Sequence, residues 1–112
     1  MKRKVIHKEL AAGKWFTLSF FEQMANIGSE VERTIAWKKK ENGDYANQAF
    51  ERALELLDLT IIDKRNRLHL KELTRLREML GDFFVFDNQY QSSDKAWQNY
   101  FYPFIFAARI NY

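Results

Sequence analysis

Residues 45–62, Tyr-Ala-Asn-Gln-Ala-Phe-Glu-Arg-Ala-Leu-Glu-Leu-Leu-Asp-Leu-Thr-Ile-Ile, restrict the fold more than any other stretch of the chain. Ala46, Ala49, Phe50, Ala53, Leu57 and Ile61 recur at gaps of three and four. That spacing puts them on one face of a 3.6-residue helix. Leu54 borders the face, and Leu56, Leu59 and Ile62 widen it beyond a two-helix seam, so the helix is expected to meet more than one neighbour. Ala49 and Ala53 are small beside Phe50 and Leu57, which lets a facing helix come close. Glu51, Arg52, Glu55 and Asp58 mark the wetter side. Gly43 ends what precedes, Asp44 is a favoured N-cap, and Asp63-Lys64-Arg65-Asn66-Arg67 is a polar break. Such a helix is marginal alone in water, so it predicts partner helices.

Those partners are legible on either side. Ser19-Phe20-Phe21-Glu22 has capping-box spacing, and Phe20, Met24, Ile27, Val31 and Ile35 then repeat helically up to Lys38-Lys39-Lys40. The start could also lie at Lys14 or Trp15. Gly28 weakens the middle of this helix by propensity, so a close helix contact is predicted there. A third helix carries Leu73, Leu76, Leu80 and Phe83 inside, and is expected to end around Phe86 to Asn88. Ser92 or Ser93 caps a fourth, with Trp97, Tyr100, Phe101, Phe104, Ile105 and Ala108 at helical spacing and a kink predicted before Pro103. The single Pro and 4 Gly fit long elements joined by short turns. The expectation is an all-α, antiparallel up-and-down four-helix bundle formed by one domain over residues 1–112. Residues 1–14 form either a short amphipathic turn or a basic arm.

This order gathers distant cations. The N-terminal arm, the 63–67 turn and the end of the last helix meet at one pole. That pole collects Lys2, Arg3, Lys4, Lys8, Lys14, Lys64, Arg65, Arg67 and Arg109 against Glu9 and Asp63. The net charge of +3 therefore understates a lopsided distribution. Lys64, Arg65, Arg67 and Arg109 are the candidate nucleic-acid contacts, to phosphates of RNA or DNA. The chain has 10 Phe, 5 Tyr and 3 Trp, more than a core of this size accommodates. Some of Trp15, Phe16, Phe20, Phe21, Tyr90, Tyr100, Tyr102 and Tyr112 are therefore expected to be surplus, suited to a homo-oligomer interface or to stacking on unpaired bases.

Other chemistry is sparse. Cys is absent, so no thiolate site exists and nothing requires an oxidising compartment; the cytoplasm is the expectation. Lys8, Glu9 and Lys14 interrupt any signal-peptide core, and no apolar run is long enough to span a membrane. His7 and His69 give no metal-ligand pattern, and Glu22, Glu30, Glu51 and Glu55 lack the Glu-x-x-His pair of a di-iron bundle. No catalytic residue, metal or cofactor is assigned. Arg65-Asn66-Arg67-Leu68-His69 resembles the Arg–polar–His site of the HEPN superfamily of helical ribonucleases, one residue short in its spacing. That resemblance implies an alternative, a HEPN-like ribonuclease or toxin-type bundle. In it His69 is the acid/base and Arg65 the phosphate anchor, sharing a helix face. The ordinary reading of the same residues is a basic helix start with an incidental His.

The segments Asn26-Ile27-Gly28-Ser29-Glu30-Val31, Arg52-Ala53-Leu54-Glu55-Leu56-Leu57-Asp58-Leu59-Thr60 and Leu70-Lys71-Glu72-Leu73-Thr74-Arg75 resemble an uncharacterised family of small prokaryotic helical proteins. The likeness extends over most of residues 15–109 and implies no activity. More distantly, the layout is similar to the four-helix-bundle proteins of ribosomal-RNA intervening sequences and of diversity-generating retroelements. Those are basic, oligomeric bundles, and the retroelement member binds nucleic acid and a reverse transcriptase. The implied function is a non-enzymatic interaction protein that self-associates.

Overall fold

Ser19 opens the first helix. Its hydroxyl accepts from the Glu22 N–H at 3.1 Å, and the Glu22 carboxylate accepts from the Ser19 N–H at 3.1 Å. The exchange satisfies two of the donors a helix start leaves unpaired. The structure, a computed structural model, describes residues 13–110. Among them are four α-helices: α1 (Phe20–Lys39), α2 (Gly43–Ile62), α3 (Leu70–Phe84) and α4 (Asp94–Ile110). Two 3-10 segments accompany them, Lys14–Thr17 before α1 and Lys64–His69 between α2 and α3. No strand occurs among the described residues.

Helix ends follow local hydrogen bonding. The chain leaves α1 through Glu41, at φ 58°, while the Asn42 N–H donates back to the Trp37 carbonyl at 3.0 Å. This left-handed stop closes the helix without a glycine. Asn42 follows at φ −100° and ψ 87°, outside the helical region, and its Oδ1 accepts from the Tyr45 N–H at 3.1 Å. Asn42, not Asp44, caps α2, and Gly43 is the first residue of that helix rather than the terminator of the one before. α3 stops at Phe84, short of the expected 86–88, because the Asp82 carboxylate accepts from the N–H groups of Gln89 (2.7 Å) and Tyr90 (3.0 Å). The loop is thereby folded back on the last turn. Ser93 caps α4 by accepting from the Ala96 N–H at 3.1 Å.

Small residues set how closely the helices approach. A Cβ at Gly28 would lie 2.8 Å from Phe101 Cβ, so α4 sits against bare backbone of α1. The propensity loss at Gly28 is about 1 kcal/mol, whereas fully burying a Phe side chain contributes roughly 1.5–3 kcal/mol. Ala49 and Ala53 on α2 are fully buried, as the apolar stripe requires. One core joins Met24, Ile27, Val31 and Ile35 of α1 to Phe50, Leu56 and Leu57 of α2, Leu73, Leu76 and Leu80 of α3, and Trp97 and Phe101 of α4. Along α1 and α2, Gln23 meets Asp63, Glu30 meets Arg52 and Trp37 meets Tyr45. Glu30 is buried and also takes Arg33, so its charge is neutralised from both helices. α3 rests on α2 through Arg77–Asp58 at 2.7 Å and Phe50–Phe84. The two last helices are bridged by side chains, with Tyr100 donating to Glu72 at 2.8 Å.

Trp15 corrects an expectation. Its place among the surplus aromatics does not hold, because it is 1 % exposed and its indole N–H donates to Thr60 Oγ1 at 3.1 Å. The 3-10 segment Lys14–Thr17 carries it into the core, so the described chain is anchored from the segment before α1 onward. Phe21, Tyr90 and Tyr102 do stand at the surface, whereas Phe16, Phe20 and Tyr100 are half-buried against the core. Tyr112 lies outside the described residues.

Candidate nucleic-acid interface

The corner between α2 and α3 is built on buried amides. Gln23, on the core face of α1, is fully buried. Its Nε2 donates to the Trp15 carbonyl (3.1 Å) and to Asp63 Oδ2 (2.9 Å). Its Oε1 accepts from Asn66 Nδ2 at 2.9 Å, and Asn66 Nδ2 also donates to the Thr60 carbonyl at 3.0 Å. Thr60 Oγ1 accepts from Trp15 and donates to the Leu56 carbonyl. Thus the segment before α1, the body of α1, the end of α2 and the 64–69 segment share one network in which each of these groups finds a partner.

Arg65 completes the network from outside. Its guanidinium meets the Asp63 carboxylate at 2.6 Å, and Nη2 also donates to the Leu18 carbonyl at 2.7 Å. The Asp63 carboxyl is held down at about 2, chiefly by the Arg65 side chain and further by Gln23, against the opposing effect of burial. Arg65 is therefore engaged within the chain, and its ordering of Asp63 is structural.

The other proposed contacts are placed differently. Lys64 and Arg67 are exposed on either side of buried Asn66. Asn66 has φ −96° and ψ 17°, which breaks regular helix through this segment. Arg65 and His69 consequently do not share an α-helical face, contrary to what their spacing suggests. His69 instead stacks on Phe20, rings 4.0 Å apart, with Nδ1 3.5 Å from Glu72. Arg109, also exposed, lies in a cleft with Leu18, Glu22 and Ile105. Leu18 links it to the corner, since the Leu18 carbonyl is the acceptor of Arg65. The further cations Lys2, Arg3, Lys4 and Lys8 lie outside the described residues. Among the described residues no group of three or more His, Cys, Asp or Glu is arranged to hold a metal, and no helix is long and apolar enough to cross a membrane.

Gln23, Thr60 and Asn66 organise this end without being singled out by the sequence pattern. A signal exists for Gln23: it stands four residues before Ile27 and eight before Val31, on the buried face of α1. A polar residue on an apolar stripe requires a polar partner. Comparison with protein-family models, with curated proteins and with solved structures returns no match for this chain.

Proposed function

We propose that the chain is a non-enzymatic helical-bundle interaction protein, antiparallel and up-and-down in order, that self-associates and holds nucleic-acid phosphates at its α2–α3 corner. The descending pairs 23/63, 30/52 and 37/45 support the antiparallel order of the first two helices. Lys38 near the Phe84 carbonyl and Lys39 near Asp94 support a second pole where α1 and α3 end and α4 begins. The observation that carries the binding reading is the pair Lys64 and Arg67, exposed on a segment whose Asn66 is locked into the core and whose Arg65 is tied to Asp63 and Leu18. With the backbone between them fixed through Asn66, only the two side chains have to be ordered when they meet a phosphate backbone. Arg65 serves as the brace for this segment. Arg109 stands on the neighbouring helix and is a marginal contributor.

Binding rather than cleavage is the preferred reading because both groups a ribonuclease would need are already engaged, Arg65 by Asp63 and Leu18, His69 by Phe20. The interaction is electrostatic and indifferent to sequence. It should weaken steeply as salt rises. A gel-shift series on single-stranded RNA and duplex DNA in rising salt tests this. Retarded bands at low salt that vanish on adding salt are expected; the lack of any shift at low salt removes nucleic acid from the function.

A further inference from the structure

α4 carries an apolar, mostly aromatic stripe that the other described residues leave uncovered. Tyr102, Phe106 and Ile110 follow at intervals of four and are 63 %, 51 % and 63 % exposed. The Tyr102 and Phe106 rings stack at 6.0 Å, so the stripe is already ordered. Beside it runs a cleft between α1 and α4 of about 380 Å³, lined by Glu32, Asn99, Tyr102, Phe106 and Arg109 among others. Glu32 and Arg109 are exposed, and among the described residues neither has an ion-pair partner.

These features are self-complementary. From the Gly28–Phe101 contact, Glu32 lies one turn along α1 toward the start of α4, level with Gln98 and Asn99. Arg109 lies at the other end of α4. If two copies pair their α4 helices antiparallel about a two-fold axis, the register that sets Tyr102 against Phe106 of the second copy also sets Arg109 against Asn99 of that copy. Glu32 of the second copy lines the cleft at that point. The backbone adds a further acceptor there. Pro103 has no N–H, so the Asn99 carbonyl lacks its usual donor four residues on. A guanidinium with five donors can take the carboxylate and that carbonyl together.

From this fit we infer that the occupant of the stripe is a second copy of the chain, in a two-fold dimer with Tyr102 and Phe106 at its centre and Ile110 and two Arg109–Glu32 pairs toward its rim. The inference rests on the self-association in the proposed function and supplies its surface. An isologous arrangement uses one patch twice and closes at two subunits. One helix face is smaller than the ~800 Å² per partner of a standard interface, so the dimer dissociates readily on dilution.

Sedimentation over a concentration series decides it. The expected species at high concentration has twice the 13.5 kDa chain mass. Phe106→Glu should leave a monomer with unchanged helix content, since the position is half exposed. Glu32→Arg and Arg109→Glu should each weaken the dimer by about tenfold. The double exchange should restore most of the loss, and because both sites are exposed it decides the matter even if Phe106→Glu fails to fold. A wild-type chain that stays monomeric throughout ends both self-association and this interface. An oligomer whose mass is unaffected by Phe106→Glu, or one larger than two copies, leaves self-association standing and overturns this surface. A double exchange no better than the single ones overturns the rim pairing.

Discussion

Gly28 of α1 and Phe101 of α4 approach so closely that a Cβ at position 28 would lie 2.8 Å from both Cβ and Cγ of the phenylalanine. The atoms in the way are at the root of the side chain and cannot swing aside. Gly28→Ala gains about 1 kcal/mol of helix propensity but overpacks the crossing at a typical penalty of about 1–3 kcal/mol. Net destabilisation of up to about 2 kcal/mol is expected by urea unfolding. Gly81 supplies the contrast, since it lies inside α3 with nothing within 4 Å of a Cβ. Gly81→Ala should stabilise by about 0.5–1 kcal/mol. Equal effects of the two substitutions would refute the close crossing.

The amide of Gln23 holds three elements at once. Gln23→Met keeps its length and removes its hydrogen bonds, leaving the Trp15 carbonyl, Asp63 and Asn66 short of a buried partner. A loss of about 2–4 kcal/mol follows from the desolvation those groups no longer recover. In thermal unfolding each kcal/mol corresponds to roughly 4 °C at this size. A melting temperature within a degree or so of wild type would show the network to be dispensable.

Asp63 sets the acid limb of stability. Its pKa falls from 3.8 to about 2 on folding, chiefly through the Arg65 side chain. The folded form thus binds its proton less readily than the unfolded one. The resulting stabilisation is complete above about pH 4 and is lost as pH drops through 2. Urea unfolding between those limits should show the wild type converging on Asp63→Asn, which has no carboxylate to titrate there. A constant gap between the two proteins across that range would contradict the assignment.

Periodicity and capping chemistry make much of the helical core readable. Ser19 with Glu22 and Ser93 announce two helix starts because a hydroxyl at that position has one obvious donor to satisfy. The close approach expected at Gly28 is met by Phe101, but Gly81 carries the same mid-helix signal with open space around it, so the glycine alone does not distinguish a crossing from a bare surface position. The cap of α2 lies two residues before the expected Asp44, since Asn42 and Asp44 are equally good acceptors and the left-handed turn at Glu41 decides between them. The polar run 63–67 announces a break after α2, but the 3-10 path through Asn66, whose side chain is drawn inward by Gln23 and Thr60, has no local signature, and so Arg65 and His69 read as sharing a helix face. The Gln23–Asn66 bond joins residues 43 positions apart, and no local pattern encodes it. For the same reason Arg65 has the sequence signature of an open phosphate contact, although its guanidinium reaches to Asp63 and Leu18. Trp15 reads as surplus because its acceptor, Thr60, lies 45 residues away.

The most direct test of phosphate binding at the α2–α3 corner compares salt dependence in two proteins. Fluorescence anisotropy of a labelled single-stranded RNA is followed in rising salt for wild type and for Lys64→Gln/Arg67→Gln, whose exposed positions leave the fold intact. Each cation that neutralises a phosphate of a single strand adds about 0.7 to the slope of log affinity against log salt, so the double variant should be shallower by about 1.4 and bind more weakly. Matching slopes and affinities in the two proteins would contradict a role for this corner.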